Sequence, residues 1–497
     1  MNPPEIITNS KRKELKMIRL VPTPKKHTFI DETYHLLKPV IHSNVEKWNR
    51  YLSAFTKAFR KLFDFELCQG TGGAELVLDE SLASNAYTIN SDENGVTLCA
   101  SSDEGILYAL SSYLQLINTT KGQLTIQYFT IEDKPDKEYR AFMVDMGRRW
   151  HPFDKLLKFV DICFLFKIKY LHLHFIDTGV YSLPSKTFPK LPTEGEHYTF
   201  EEIEELNQYA KDKGVILIPE YECPGHAPQF TKKYPEIFLD TIDEDVGDEY
   251  RNESGEIIAT NNIICAGSEM AWEATKALLK EICDMFPDSP YINIGGDEAK
   301  ISVWDHCSVC KKYMHDHGIT DSKELYSEYV ARVTSYILTL GKTPIVWEGF
   351  PKKGCERIPK ETIVVAWESY YNLPQDLLDS GFRVINSSWQ PLYIVPSVTK
   401  RWKPIDILNW NVYNWQNWFE KSEAFLNPIN VAPTNQVIGA MLCAWEQTYE
   451  QEIHFSIENL SAMSEKVWNV KRVCNDKEFL AKQAPLIYLA ALIIRDR

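Results

Sequence analysis

The chain has 497 residues, of which 44% are hydrophobic and 25% are charged, so it is long enough for several globular domains with large cores. Its formal net charge of -15 argues against nucleic acid or an anionic membrane surface as a partner, because both carry negative charge themselves. The sequence has no apolar run of the roughly 18 residues that a membrane span needs, and its start lacks the apolar stretch of a secretory signal.

The pattern in the first part of the chain predicts a small α+β domain. Residues 86–90 and 95–100 alternate between apolar and polar side chains around an Asp-Glu-Asn-Gly turn, which indicates a β-hairpin. Residues 102–117 have apolar side chains at helical spacing, and residues 123–131 alternate again as a strand. No pattern in this part of the chain predicts a catalytic site.

The polar segment 132–138 contains a proline and is typical of a domain boundary. We therefore divide the chain into an N-terminal tail at residues 1–16, an α+β domain at residues 17–135 and a second domain at residues 136–497. The basic residues at 11–16 are typical of a solvated tail rather than of a nucleic-acid site.

Strand and helix patterns alternate through the second domain. The eight predicted strands cover residues 142–146, 170–175, 215–219, 291–294, 344–347, 363–367, 383–386 and 438–443. Most of them are nearly continuous apolar runs, as buried parallel strands are. Helical patterns lie between most of them, at residues 155–166, 200–213, 270–286, 323–339 and 373–380. This order predicts an α/β fold of the (β/α)₈ TIM-barrel class, whose active site lies at the carboxyl ends of the strands.

Charged or aromatic residues stand at the ends of all eight predicted strands. The fourth strand ends in two glycines followed by Asp297 and Glu298, which indicates backbone crowded against a ligand. Adjacent carboxylates repel, so one of them tends to keep a proton near neutral pH. A Gly-Gly turn before a helix cap would explain this tetrapeptide equally well. The residues at the other strand ends favour an active site over such a turn. They are Asp145, Arg148, His172, His174, Asp177, Glu220, Glu222, His226, Trp347, Trp367, Tyr393 and Trp445.

These motifs, in this order, resemble those of glycoside hydrolase family 20, the β-N-acetylhexosaminidases. The family patterns D-x-x-R, H-x-H-x-x-D, E-x-D-x-P-G-H and H-x-G-G-D-E match residues 145–148, 172–177, 220–226 and 293–298. Two positions depart from these patterns, since Glu222 stands in place of an aspartate and Asn293 in place of a histidine. The first domain also resembles the small α+β domain that precedes the barrel in this family.

The resemblance implies an exo-acting, retaining hydrolase of terminal β-linked N-acetylglucosamine or N-acetylgalactosamine that uses substrate-assisted catalysis. In this mechanism the acetamido oxygen of the substrate attacks C1 and forms an oxazolinium intermediate. The family pattern makes Glu298 the general acid/base and makes Asp297 the group that orients the acetamido group. Two adjacent residues cannot easily lie on opposite faces of a sugar, as a nucleophile and an acid must, and this favours the same mechanism.

The resemblance also implies the binding residues. Tyr393 is expected to donate a hydrogen bond to the acetamide oxygen, and Arg148 to bind the 3- and 4-hydroxyls. The residues expected to enclose the acetamide and the sugar are Trp347, Trp367 and Trp445. The residues expected to support Glu298 and tune its pKa are Asp177, His226, Glu222 and His174. No metal or organic cofactor is expected, and the expected partner is a carbohydrate.

Some departures from the family pattern leave the preferred sugar open. Tyr393 is followed by Ile394 and Val395, where the family often has an aspartate two positions on. The eighth strand ends in a tryptophan followed by Glu446 and Gln447, where many members have Trp-x-Glu. Either Gln447 or Glu446 is therefore expected to contact the 4- and 6-hydroxyls. Thr178 likewise stands where a second aspartate is common.

The cysteines are eleven in number and scattered, which favours free thiols in a reducing compartment and hence a cytosolic protein. A secreted chain trimmed of its signal would have the same sequence. His306, Cys307 and Cys310, with His315 and His317 nearby, have spacing similar to that of a zinc site. We expect ordinary thiols here, with structural zinc as the alternative.

Residues 402–418 contain four tryptophans and few charges. The segment is expected to be a platform for the leaving group of the substrate, a lid packed on the barrel, or a dimer contact. The sequence does not indicate an oligomeric state.

The main alternative function is a non-catalytic amino-sugar binder, such as a lectin or sensor with the same fold. The intact pair of Asp297 and Glu298 favours an enzyme, because a binder has no need of a proton donor. A chitinase-type enzyme is a second alternative, but its D-x-x-D-x-D-x-E pattern is missing from the sequence.

Overall fold

The structure is a computed structural model, and it describes residues 18–239, 250–251, 257–258, 263–396 and 401–496. These residues form an eight-stranded mixed sheet with its helices, followed by a parallel barrel. The predicted fold class is therefore confirmed. The predicted N-terminal tail lies outside the described residues.

The first domain consists of a sheet with two longer helices. Its strands, in spatial order, are Lys26–Leu36, Gln123–Asp133, Tyr87–Asp92, Gly95–Ala100, Ala74–Leu78, Val40–Ser43 and Cys68–Gln69, with Asn118–Thr120 added beside Gln123–Asp133. The predicted hairpin is present, and the side chains of Tyr87–Asp92 alternate between buried and half-buried, as its sequence pattern requires. The helix Asp103–Leu116 agrees with the prediction, whereas the helix Asn49–Phe63 was not predicted.

The second domain is a closed barrel of eight parallel strands. In chain order, which we use to number them from first to eighth, these strands are Tyr139–Asp145, Tyr170–His174, Ile216–Pro219, Tyr291–Asn293, Thr343–Trp347, Ile363–Ala366, Arg383–Asn386 and Val437–Ala444. The first strand pairs with the eighth. A parallel bridge between Glu220 and Asn293 joins the third strand to the fourth, so all eight predicted strands contribute to one closed sheet.

Helices surround this barrel. The longer ones are Phe153–Leu165, Phe200–Lys211, Glu269–Met285, Ser308–His317, Ser322–Thr339, Tyr449–Trp468 and Asp476–Ile493. Shorter helices are Pro228–Lys233, Pro235–Phe238, Pro374–Asp379, Trp389–Leu392 and Pro404–Asn409, and 3-10 turns lie at Glu46–Trp48, Ile301–Asp305 and Cys355–Arg357. Two-residue strands pair Tyr250–Arg251 with Ile257–Ile258 and Asn414–Trp415 with Ile429–Asn430, and Tyr393–Ile394 pairs with the eighth strand. None of the helices within the described ranges combines the length and apolarity that crossing a bilayer requires.

Residues 132–138 between the domains alternate between exposed and buried side chains. Asp133 is buried and accepts hydrogen bonds from the Tyr87 hydroxyl (2.7 Å) and the Trp468 indole N–H (3.0 Å). Lys137 is also buried and donates to the carbonyl oxygen of Val437 (2.6 Å). The buried polar residues of this segment therefore form hydrogen bonds within the folded chain, while every second residue faces water.

Candidate active site

A sharp turn after the fourth strand carries the two adjacent carboxylates. Gly295 and Gly296 have φ values of +67° and +84°, which glycine adopts without steric cost. A Cβ atom on Gly295 would collide with the Glu222 carboxylate, and one on Gly296 would lie 2.6 Å from the Val346 side chain. The protein's own side chains thus account for the need for glycine at this turn, and crowding against a ligand stays a prediction. Glu298 also has a positive φ of +47°, so the turn continues through the carboxylate pair.

Asp297 carries a buried hydrogen-bond acceptor. Its Oδ1 atom is buried and has no hydrogen-bond partner among the described residues. Burial raises the pKa of Asp297 to about 7, an effect that the positive charge of His226 opposes and the adjacent Glu298 reinforces. A buried carboxylate oxygen without a donor is costly in a folded protein, so this atom is suited to a donor from a ligand.

Glu298 lies at the open end of a chain of charged contacts. Its side chain is 49% exposed, and its Oε2 lies 3.2 Å from Nε2 of His226. Nδ1 of His226 in turn lies 3.4 Å from Oδ1 of Asp177. The hydrogen bond from His226 lowers the pKa of Glu298. Burial lowers the pKa of His226, but the charges of Asp177 and Asp297 and the hydrogen bonds to Asp177 and Glu298 together raise it well above its usual value. Of the two carboxyls, it is therefore Asp297, and not Glu298, that is partly protonated near neutral pH.

A buried carboxylate behind this chain holds three rings in place. Glu220 lies 2.9 Å from Nε2 of His172 and 2.5 Å from Nδ1 of His174, and it accepts a 2.6 Å hydrogen bond from the indole N–H of Trp347. The other ring nitrogen of His174 lies 2.9 Å from Asp177. His174 therefore links Glu220 to Asp177 and supports Glu298 only through that residue.

Glu222 supports the turn rather than Glu298. It is buried and accepts a hydrogen bond from the backbone N–H of Gly296 (3.3 Å). Burial and the charge of Asp297 raise the pKa of Glu222 well above its usual value. A role in tuning Glu298 was expected from sequence, but the contacts of Glu222 lie on the Asp297 side of the pair.

The aromatic residues at the ends of the later strands form one cluster. The ring centroid of Trp347 lies 6.3 Å from the ring centroid of Trp367 and 5.8 Å from that of Trp445. Tyr393 closes the set, since its ring lies 6.0 Å from both Trp367 and Trp445. Trp389, which the sequence analysis missed, stacks on Trp367 at 5.7 Å and on Tyr393 at 5.6 Å. We call these five rings the aromatic cage.

Arg148 lies between acids and an aromatic face. Its guanidinium contacts Asp177 (2.9 Å) and Asp145 (3.4 Å), and its central carbon lies 4.9 Å from the centroid of the Trp445 ring. Its side chain is partly exposed, so it can still bind hydroxyl groups in the barrel mouth.

The two residues after Trp445 have different roles. Gln447 is fully buried, and its amide donates to the carbonyl oxygen of Ile394 (2.7 Å). Glu446 is exposed and has a φ of +59°, and its negative charge acts on Arg148. Of the two expected contacts to the sugar hydroxyls, Glu446 is the one at the surface, whereas Gln447 is buried and keeps only its Oε1 without a partner among the described residues.

Two glutamates that the sequence analysis missed shape the loop after the sixth strand. The buried carboxylate of Glu348 accepts hydrogen bonds of 2.8 to 3.2 Å from the backbone N–H groups of all five residues 368–372. This loop begins with Glu368, which is itself buried, and burial together with the charge of Glu298 raises its pKa to about 8. A Trp-Glu pair recurs at the ends of strands five, six and eight, and this repeat is the signal that could have revealed both residues.

The tryptophans of the segment 402–418 are divided between two environments. Trp410 and Trp415 are buried, and the Trp415 indole donates to the carbonyl oxygen of Ala366 (3.0 Å), so this part packs on the barrel as a lid would. Trp418 lies 4.8 Å from Trp389 of the aromatic cage, and Trp402 lies 5.7 Å from Trp418. These two rings extend the cage outward.

Three groups of side chains in the described ranges have the composition of a metal site. Each has its ligand atoms within 4.8 Å of one another, and the groups are His174 with Glu220 and Glu222, His226 with Asp297 and Glu298, and Cys265 with Cys307 and Cys310. In the first two groups, the histidines and most of the carboxylates are already engaged in the contacts described above. His306 and the two other histidines considered from sequence are exposed and do not belong to the cysteine group.

Comparison with known proteins gives one family for both domains. The model of the catalytic domain of glycosyl hydrolase family 20 matches residues 138–471, and the model of domain 2 of that family matches residues 17–134.

Individual relatives agree with this result. The β-hexosaminidase subunit β of Entamoeba histolytica is 26% identical over 405 residues, which cover 79% of this chain and 69% of that protein. The β-hexosaminidase of Porphyromonas gingivalis is 27% identical over 382 residues, and the chain spans only 48% of its length. The crystal structure of a family 20 exo β-N-acetylglucosaminidase from Vibrio harveyi has a TM-score of 0.82 at 21% identity, covering 95% of this chain and 77% of that one. Since the catalytic-domain match takes in well over half of the residues and the barrel presents its carboxylates as described, the chain belongs to glycosyl hydrolase family 20 and is a glycoside hydrolase.

Proposed function

We propose that the chain is an exo-acting, retaining β-N-acetylhexosaminidase that removes terminal β-linked N-acetylglucosamine or N-acetylgalactosamine from a glycan, glycolipid or oligosaccharide. The observation that supports this most is the buried Oδ1 atom of Asp297, which has no donor among the described residues. The charge of Asp297 acts on Tyr393 in the aromatic cage, so the acceptor and the cage are neighbours. An acetamido group matches both, because its N–H supplies the donor and its methyl group packs against aromatic rings.

The bond changes follow from this placement of the acetamido group. Its carbonyl oxygen attacks C1 of the sugar while the bond from C1 to the leaving oxygen breaks, and a positively charged oxazolinium ring results. The Asp297 carboxylate accepts the N–H hydrogen bond and stabilises the developing positive charge. Water then attacks C1 from the face that the leaving group occupied, so the product keeps its β configuration.

Glu298 supplies the proton. As an exposed carboxyl at the mouth of the barrel, it is placed to protonate the leaving oxygen and later to remove a proton from the attacking water. Its partner His226 contacts Asp177, so His226 and Asp177 together fix the position of the Glu298 carboxyl.

Substrate binding has to shift the proton within the pair, because in the free chain the pKa of Asp297 is about 7 and that of Glu298 is lowered. A sugar that covers Glu298 removes water from its carboxylate, which raises its pKa. The positive charge that forms beside Asp297 favours the ionised form of that residue. Both effects move the proton to Glu298, where the reaction uses it.

Recognition of the sugar hydroxyls is assigned to Arg148 and Glu446. Both reach the barrel mouth, and both offer charge-assisted hydrogen bonds to hydroxyl groups. The apolar Val395 replaces one further contact that the family often makes. Fewer contacts to the 4-hydroxyl should allow both 4-epimers, so activity on both amino sugars is expected.

The test is an assay of purified full-length protein on the 4-nitrophenyl β-glycosides of N-acetylglucosamine, N-acetylgalactosamine and glucose, with and without a thiazoline analogue of the oxazolinium ion. We expect cleavage of the two acetamido sugars only, and inhibition by the thiazoline. Cleavage of the glucoside at a similar rate would contradict a role of the acetamido group. Thiazoline binding without cleavage of any glycoside would instead support a non-catalytic amino-sugar binder.

The role of Asp297 is tested with two variants. Asp297→Ala removes the acceptor, and it should slow all acetamido substrates and weaken thiazoline binding. Asp297→Asn keeps the size but loses the charge, so it should weaken thiazoline binding less than alanine does while slowing turnover. Unchanged thiazoline affinity in both variants would contradict substrate assistance.

A further inference from the structure

Three buried thiols meet beside the segment that leads away from the catalytic pair. Sγ of Cys265 lies 3.6 Å from Sγ of Cys307 and 3.6 Å from Sγ of Cys310. All three side chains are buried, and their sulfur atoms lie within 4.8 Å of one another. Cys265 is distant in sequence from the other two, so the tertiary structure brings together a set that the sequence pattern showed only in part.

Backbone donors point at these sulfur atoms. The N–H of Cys310 donates to Sγ of Cys307 (3.4 Å), and the N–H of Val309 also contacts that sulfur. The N–H of Gly267 likewise hydrogen-bonds the Cys265 thiol. Hydrogen bonds from backbone N–H groups stabilise the charged thiolate form, which is the form that binds metals.

The spacing of the sulfur atoms matches a shared cation. A zinc ion bound tetrahedrally at Zn–S distances of about 2.3 Å holds its sulfur ligands about 3.8 Å apart. The observed separations of 3.6 Å are close to this value, whereas a disulfide requires about 2.0 Å.

Tight packing holds the two cysteine segments at this distance. A Cβ atom on Gly267 would lie 2.8 Å from Cα of Cys310 and 2.8 Å from the carbonyl oxygen of Val309, so glycine is required for the contact. The Trp304 indole donates to the carbonyl oxygen of Ile264 (3.0 Å), next to Cys265. The triad therefore joins residues 263–267 to the 3-10 turn and helix that follow Glu298.

We propose that Cys265, Cys307 and Cys310 form a three-thiolate site for zinc or a similar thiophilic divalent cation, and that the ion clamps the segment after the catalytic pair. Zinc has four ligands in structural sites, so water or a ligand from outside the triad completes the coordination. The role is structural, because none of the three sulfurs belongs to the contacts of Asp297 or Glu298. This inference is independent of the substrate assigned above.

The first test measures metal content. Full-length protein, purified with a non-thiol reductant and dialysed against metal-free buffer, should carry about one zinc ion per chain by inductively coupled plasma mass spectrometry. Cys307→Ser and Cys265→Ser should lose this ion. Cys283→Ala is the matched control, since Cys283 is also buried and lies on the helix that follows Cys265, and it should keep the ion.

The second test does not depend on the variants folding. Cobalt(II) added to metal-free wild-type protein should produce sulfur-to-cobalt charge-transfer absorption and the strong visible bands of tetrahedral cobalt, and added zinc should abolish both. The proposal is overturned if the purified protein carries no stoichiometric metal and cobalt gives no thiolate bands. It is equally overturned if peptide mapping of alkylated protein finds a disulfide between two of the three cysteines, or if Cys307→Ser and Cys265→Ser retain the metal.

Discussion

At the scale of single residues, Asp297 and Glu298 differ in their surroundings although they are neighbours in sequence. The Oδ1 atom of Asp297 is buried, and burial raises the pKa of this residue to about 7. Glu298 remains half exposed, and its contact with His226 lowers its pKa. The two carboxyl groups differ in exposure and pKa although they stay close, with an oxygen of each within 4.8 Å of the other. One residue is thereby suited to recognition and the other to proton transfer.

The first prediction concerns Glu298→Gln. Glutamine cannot protonate a leaving group, and general acid catalysis contributes roughly 10²–10⁴-fold to rate. We expect a loss of this size in kcat/KM for an alkyl β-glycoside of N-acetylglucosamine, but a loss of less than about tenfold for an activated aryl glycoside whose leaving group needs no proton. Glu450→Gln, an exposed carboxylate on the helix that follows the eighth strand, is the control. Equal losses on both substrates would show that Glu298 is not the acid.

The second prediction concerns pH. Catalysis needs one proton on the pair formed by Asp297 and Glu298, and this proton is lost from the free enzyme as pH rises through about 7, the pKa of Asp297. We therefore expect kcat/KM of the wild type to fall above that pH. In Asp297→Asn the only titrating carboxyl of the pair is Glu298, whose pKa is lowered, so the fall should begin at a lower pH.

A pH–rate profile of both proteins, measured on the same aryl glycoside, checks this expectation. An alkaline limb that stays in place in Asp297→Asn would assign the limb to a different group.

At the scale of the elements, short turns at the strand ends determine where each side chain points. Left-handed backbone occurs at Gly295, Gly296 and Glu298 after the fourth strand, at Ser369 after the sixth and at Glu446 after the eighth. Side-chain acceptors stabilise such turns by binding their N–H groups, as Glu222 does in the first of them. The loop 368–372 is the extreme case, since one carboxylate binds five N–H groups.

The third prediction tests this loop with Glu348→Gln. An amide has only one acceptor oxygen and presents an NH₂ group to donors, so several of the five N–H groups lose their partner at about 1–3 kcal/mol each. We expect a lower melting temperature and a higher KM, because Trp367 precedes the loop and its indole donates to the Glu348 carbonyl oxygen (2.7 Å).

Thermal unfolding and steady-state kinetics provide the measurements, and Glu356→Gln, an exposed glutamate on the same connection, is the control. A Glu348→Gln protein with the melting temperature and KM of that control would refute the role of the carboxylate in ordering the loop.

At the scale of the whole molecule, a buried polar network joins the two domains. Asp133 receives hydrogen bonds from Tyr87 of the first domain and Trp468 of the second. Lys167 lies beside them, with its ammonium 3.2 Å from the Tyr87 hydroxyl, and burial lowers its pKa to about 8. Such a network makes the two domains mutually dependent, because separating them would leave charged groups without partners.

The fourth prediction is that Asp133→Ala destabilises the whole chain. Removing the carboxylate leaves the buried Tyr87 hydroxyl and the Trp468 indole N–H without their acceptor, and each such loss costs about 1–3 kcal/mol. We expect both domains to melt together at a temperature several degrees lower in differential scanning calorimetry. Glu132→Ala, at an exposed neighbouring position on the same strand, should melt as the wild type does. A similar melting curve for both variants would mean that the network contributes little.

The sequence by itself determined the barrel, the order of its strands and the identity of most residues in its mouth. Buried parallel strands require continuous apolar runs, and these runs are visible without a structure. Family motifs then identified residues such as Asp297, Glu298 and Arg148, because chemistry constrains residue type at each position.

Only the tertiary structure decided which groups act together, since contacts between distant segments leave no local pattern. It paired Glu348 with a loop twenty residues further on, turned Gln447 into the protein while leaving Glu446 exposed, and added Cys265 to Cys307 and Cys310. It also decided that Asp297 has the raised pKa, because a pKa depends on burial and on the charges that folding brings near the group.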